Sequence, residues 1–165
     1  MDEKVWQGTF FSMASLSQDR RYRYDLTRVW NPLKPNVMFI GLNPSTADET
    51  LDDPTIRRCM RFAADWGYGG IVMTNLFAFR ATDPSDMRKE ANPVGPMNDA
   101  WLCQRSEECP LVVAAWGCQG AHQGRDRAIR QMIPNLHYLR LTKYGHPGHP
   151  LYLPKTLRPV EWRAK

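Results

Sequence analysis

The sequence predicts an α/β protein, a three-layer α/β/α fold around a central, mostly parallel four-stranded sheet with a β-hairpin at the N-terminus. Three observations predict it. Short continuous apolar runs recur along the chain, segments with helical spacing stand between them, and one stretch near the N-terminus alternates instead.

The alternating stretch comes first. Arg21 to Trp30 sets Tyr22, Tyr24 and Leu26 against Arg21, Arg23, Asp25 and Thr27, the pattern of a strand with one face buried and the other in water. With Gly8 to Met13 before it and Ser17-Gln18-Asp19 between, it reads as a hairpin. After Pro32 and Pro35, Asn36 to Leu42 contains Val37-Met38-Phe39-Ile40, apolar on both faces as expected of a first central strand. Asp53-Pro54 signals a helix start, because aspartate accepts from the first turn and proline there has no N–H to leave unpaired. Ile56, Cys59, Met60 and Ala63 follow at helical spacing, and Gly67 stops the helix.

Gly69-Gly70 leads into Ile71 to Phe77, a second buried strand, after which Ala81 to Pro96 reads as a proline-bearing loop. Asn98 is expected to cap a helix running to about Cys109. Leu111 to Trp116 forms a third strand ending at Gly117. Arg125, Ala128, Ile129 and Met132 mark a further helix, Leu136 to Leu141 the fourth strand, and the tail after Pro154 reads as simply basic.

With 165 residues, 42% of them hydrophobic, the chain reads as a single domain over 1–165 with enough apolar surface for a real core. No apolar run approaches the roughly 20 residues of a membrane helix, and the first residues lack a basic start and an apolar stretch. A cytoplasmic monomer that stays off membranes is expected. Lys plus Arg exceed Asp plus Glu by 22 to 17, a formal +5 that permits a polyanionic partner without demanding one. Cys59, Cys103, Cys109 and Cys118 form no C-x-x-C pair, which argues against a zinc or iron–sulfur site, and no metal or other cofactor is expected.

Parallel sheets bind ligands beyond the carboxyl ends of their strands, so the loops after Ile40, Thr74, Ala115 and Leu141 are the ones to read for chemistry. Gly41-Leu42-Asn43-Pro44-Ser45-Thr46 joins a glycine that admits a ligand to backbone, a polar amide and a proline that fixes the turn. Asn75 ends a buried strand, where an amide has no core role unless its donors and acceptors are met. Gly145 to Tyr152 holds His146 and His149 in a proline-braced loop. Residue types alone leave plain readings open: an ordinary connection, an amide bonded to neighbouring backbone, and a His-Pro turn.

Taken in order, these segments carry a resemblance. Asn36 to Ser45 is a strand followed by G-x-N-P; Gly70 to Ala81 is a strand ending in asparagine; Leu111 to Ala121 ends its strand in Trp-Gly; His146-Pro147-Gly148 precedes Pro150-Leu151. From about Asn36 to Leu151 the chain resembles the uracil-DNA glycosylase superfamily, in its mismatch-directed G-x-N-P branch. RYRYDLTRVW and Asp52 to Arg58 also resemble a little-characterised group of bacterial and phage proteins.

The superfamily resemblance implies a DNA glycosylase that binds a flipped-out, mismatched or 5-modified pyrimidine and hydrolyses its N-glycosidic bond. It implies that Asn43 holds the attacking water, that His146 faces the base oxygen, and that Asn75 reads the base beside Gly41 and Leu42. Leu151, with Tyr152 beside it, would fill the gap in the stack; plain burial is its other reading. Backbone N–H groups in the loops after Pro44, Gly117 and Pro147 would hold phosphates, with Arg57, Arg58 and Lys143 as basic candidates. Asn43 stands where the fastest enzymes carry aspartate, which implies slower chemistry unless Asp48, Asp52 or Asp53 supplies a carboxylate; helix capping is their competing role. Ser45 replaces a bulky aromatic and leaves room at pyrimidine C5. Two other classes stay open, a non-catalytic binder of nucleic acid or modified nucleotides, and a hydrolase or transferase of free nucleosides or nucleotides.

Overall fold

A computed structural model describes residues 10–163. Its strands are β1 (Phe11–Leu16), β2 (Arg23–Val29), β3 (Asn36–Gly41), β4 (Gly70–Asn75), β5 (Leu111–Ala114), β6 (Leu136–Tyr138) and β7 (Val160–Glu161), in one seven-stranded sheet ordered β1-β2-β4-β3-β5-β6-β7. The inner strands β4, β3, β5 and β6 run parallel. The β1–β2 hairpin joins β4 antiparallel, and β7 pairs antiparallel with β6 at the other edge.

The α/β class and parallel centre are as the sequence predicts, but the strand count is not four. The hairpin extends the sheet, and the tail read as merely basic contributes β7, too short to show a pattern. β6 stops at Tyr138, and Leu141 makes only a bridge to Pro147. The expected hairpin start at Gly8 lies outside the described residues.

Helices α1 (Pro54–Asp65), α2 (Pro84–Lys89), α3 (Asn98–Glu108) and α4 (Arg125–Met132) cover both faces. Alternation along the strands sorts the core: Val37, Phe39, Ile71 and Met73 pack with Ile56, Cys59, Met60 and Phe62 of α1. Met38, Ile40, Val72 and Val112 pack with Leu102 of α3 and Ile129 of α4. This is the three-layer arrangement, with the continuous apolar strands buried on both sides.

Local signals decide the helix starts. Asp53 Oδ1 accepts from Ile56 N at 2.9 Å with Pro54 in the first turn, as predicted. The segment read as a loop holds α2, and Asp83-Pro84 starts it with the same signal, Asp83 accepting from Ser85 N. Asn98 is not a cap: Met97 holds that position, and the fully buried Asn98 amide donates to the carbonyls of Asn75 and Leu76 at 2.9 and 3.0 Å.

The half-exposed reading of β2 is also corrected. Every residue from Arg23 to Val29 is buried, because α3 covers the face expected in water. Asp25 there pairs with Arg105 of α3 at 2.8 Å, and Tyr24 stacks on Trp101. Ser15 faces Asp25 and Leu16 faces Arg23, so Tyr24 is the extra residue of a β-bulge. The bulge breaks the alternation. Arg23 leaves the Asp25 face and joins Leu26 and Arg28 on the α1 side, where it reaches Ala47 O at 3.0 Å.

The order in which strands are added reverses beside β3, since β4 lies on one side of it and β5 on the other. The loops after β3 and β5 therefore part company at their carboxyl ends and leave a crevice.

Candidate functional site

That crevice is a cleft of about 660 Å³, within the range of small-molecule sites. Gly41 to Thr46 line it from the β3 loop, Ala115 to Gln119 from the β5 loop, and Asn75 from the end of β4. Asp53 to Ile56 bring the start of α1 to it, Arg23 comes from β2, and Thr142, His149, Leu151 and Tyr152 come from the last loop.

Two amides on its wall are fixed in opposite senses. Asn43 Nδ2 donates to Pro44 O at 3.1 Å and Ala81 O at 2.8 Å, which uses both its donors and leaves Oδ1 as an acceptor. Asn75 Oδ1 accepts from Arg23 Nη2 at 3.3 Å. An arginine can only donate, so it settles which end of the Asn75 amide is oxygen and leaves Nδ2 as a donor with no partner among the described residues. A Cβ on Gly41 would come within 2.9 Å of Asn75 Nδ2 and 3.0 Å of the Met73 methyl. Glycine is what lets this amide lie against β3. Asn98 and Arg125 hold the backbone behind it, Arg125 through two bonds to Leu76 O.

The histidine on the cleft is His149, and His146 is not among the lining residues. His146 closes a turn instead, its N–H bonding Thr142 Oγ1 and its carbonyl accepting from Thr142 N. His149 Nδ1 accepts from Leu151 N at 3.2 Å, so the neutral ring carries its proton on Nε2. Burial pushes its pKa below the ordinary value, against a smaller opposing pull from Asp53.

Of the three aspartates, only Asp53 lines the cleft. Asp48 is spent on the Thr50 and Leu51 amides, which hold its pKa below the usual range, and Asp52 pairs with Arg28 at 2.8 Å.

Several of the residues expected from sequence to hold phosphates are occupied otherwise. Arg57 is exposed and away from the cleft, while Arg58 donates to Pro150 O and Leu153 O and so pins the last loop. Pro147 is buried, its carbonyl taken by Gly117 N at 2.8 Å, which also occupies the Gly117 amide. Lys143 lies over the Tyr144 ring. The basic side chains beside the cleft are Arg20, Arg21 and Arg80, around Phe79 in a shallower depression of about 310 Å³ that shares Ser45, Thr46, Ala81 and Thr82 with it. Leu151 and Tyr152 stand exposed at the mouth.

Sequence reasoning thus places Gly41, Leu42, Asn43, Pro44, Ser45, Asn75, Gly117 and Leu151 on one cleft. It missed Arg23, hidden by the bulge, and Trp116, which looked like the end of a core strand. Among the described residues no cluster of three His, Cys, Asp or Glu side chains is set to hold a metal. Cys59 and Cys109 are buried, which pushes both thiols up, Cys109 to about 11. Among the described residues no helix is long and apolar enough to cross a membrane.

No curated protein and no solved structure matches the chain. One family model does, over residues 23–151, a span whose ends, Arg23 and Leu151, both lie on the cleft. The chain belongs to DUF1643, a family of proteins of unknown function.

Proposed function

We propose that the cleft binds a flipped-out pyrimidine, mismatched or modified at C5, and that the protein hydrolyses its N-glycosidic bond. The observation that carries this reading is the pair of amides with opposite polarity. Glycosidic hydrolysis needs an acceptor that orients a water on the sugar side and donors for the charge that builds on the departing base. Asn43 Oδ1 is such an acceptor, and Asn75 Nδ2 and the Nε2–H of neutral His149 are such donors.

Asp53 is the carboxylate available to this water, while Asn43 alone only orients it. Ser45 leaves the wall next to the base low, and the neighbouring Arg20, Arg21 and Arg80 suit a phosphate backbone running past the mouth. Leu151 supports the same reading as a side chain available to fill the vacated stack.

The test is a panel of oligonucleotides bearing uracil, thymine mismatches and 5-substituted uracils, scored for abasic sites. At least one substrate is expected to be cut, with Asn43→Ala and Asp53→Asn slowing release by about 100-fold or more. The asparagine of the second variant would still cap α1, so that protein should keep its melting temperature. Binding without abasic sites on every substrate would replace hydrolysis by simple base recognition.

A further inference from the structure

Among the described residues three arginines are buried, and they are not treated alike. Arg28 and Arg125 each meet a carboxylate, Asp52 and Asp99, at 2.8 Å. Arg23 meets none among the described residues. It is 2% exposed, donates to Ala47 O and Asn75 Oδ1, and leaves Nε with no partner. A guanidinium has five N–H donors, so most of its hydrogen-bonding capacity is unused in a place where unused capacity is costly. Arg23 is also the one of the three that lines the cleft.

Asn75 Nδ2 beside it is a donor without an acceptor among the described residues, and Asp53, the carboxylate among the described residues lining the cleft, caps Ile56 N through Oδ1 and makes no ion pair with Arg23. Burial pushes the Arg23 guanidinium down to about 10, still cationic at neutral pH; the nearby charge of Asp53, and more weakly Asp25, pulls it back up, while Arg80 and Arg28 push the other way. A buried cation with no carboxylate in direct contact and unused donors is a place where a ligand anion gains a charge-assisted hydrogen bond.

We infer that Arg23, with the Asn75 amide, forms an anion subsite on the buried wall of the cleft that takes a carboxylate or phosphate oxygen of the ligand. The inference concerns the wall alone and stands whether or not a glycosidic bond is cut. An acceptor-rich neutral edge would satisfy Asn75, but only an anion also neutralises Arg23.

The experiment uses small probes at constant ionic strength: acetate, inorganic phosphate, and the matched pairs uracil with uracil-5-carboxylate and uridine with uridine 5′-monophosphate. Melting temperature and calorimetric titration are read on the whole protein. An anionic member is expected to bind at least about tenfold more tightly than its neutral partner, the size of a charge-assisted bond, with a saturable rise in melting temperature. Acetate and uracil-5-carboxylate acting alone identify a carboxylate; phosphate and uridine 5′-monophosphate acting alone identify a phosphate; either supports the subsite. Arg23→Met is expected to lose the preference. As a readout that needs no variant, the Arg23 Nε–H resonance of the wild type should move as the probe is added. Probes that shift neither the melting temperature nor that resonance overturn the inference, as does an Arg23→Met protein that keeps the anion preference.

Discussion

Arg28 and Arg23 sit on the same strand, on the same side of the sheet, and are equally buried, yet one is fully occupied and the other is not. Arg28 reaches the Asp52 carboxylate and the carbonyls of Met13, Thr27, Asp48 and Leu51, five bonds of which those to Asp48, Leu51 and Asp52 tie the hairpin to the loop before α1. Arg23 has two, both to neutral oxygens. A cation that holds the fold together is surrounded by acceptors; one that awaits a ligand is not. Burial alone would have classed them together.

Substitution separates them most sharply. Arg28→Met strands Asp52 and four carbonyls, and urea unfolding is expected to show a loss of about 3–5 kcal/mol. Arg23→Met should cost on the order of 1 kcal/mol, because only two neutral acceptors are left behind. Equal losses would make Arg23 a structural residue and collapse the contrast. A smaller effect is expected at Gly41, where an alanine pushes the Asn75 amide off its place and leaves Arg28 untouched. Ligand affinity or turnover should fall roughly ten- to a hundredfold, as for a misplaced reading group, with little change in melting temperature.

The smallest effect is in pH. His149 has a lowered pKa in the folded protein, so the unfolded chain binds its proton first as pH falls. The stability contributed by the neutral ring is complete above the ordinary value of 6.5 and is lost as pH drops below it through the folded value. A melting curve against pH should fall on this acid side, and His149→Asn should flatten that step while leaving any contribution of Arg28 in place. An unchanged slope would mean that His149 is not held neutral by its surroundings.

The parallel centre of the sheet was legible because β3, β4 and β5 are apolar on both faces, and only burial between helix layers makes such a run tolerable. The cleft was legible for a related reason: Asn75 ends β4 and Asn43 follows just beyond β3, where a polar side chain has no place in the core. Arg23 was not, since period-two reading assumes an unbroken register and the bulge at Tyr24 shifts everything before it by one residue. His146 and His149 share one loop and the same His-Pro context, and only the path of the Pro150–Tyr152 turn decides which ring reaches the cleft. Asn98 looked like a cap from its neighbours in sequence, whereas its partners are the Asn75 and Leu76 carbonyls, distant in sequence.

A hairpin between neighbouring residues closes a short loop, but β2 also pairs with β4, and the Leu26–Met73 register encloses β3 and α1 and so costs more loop entropy and closes later. Arg23 touches Asn75 only across that late seam. A ligand that needs both side chains therefore selects finished molecules over partly assembled ones, and its protection of the chain against proteolysis would time the last step of assembly.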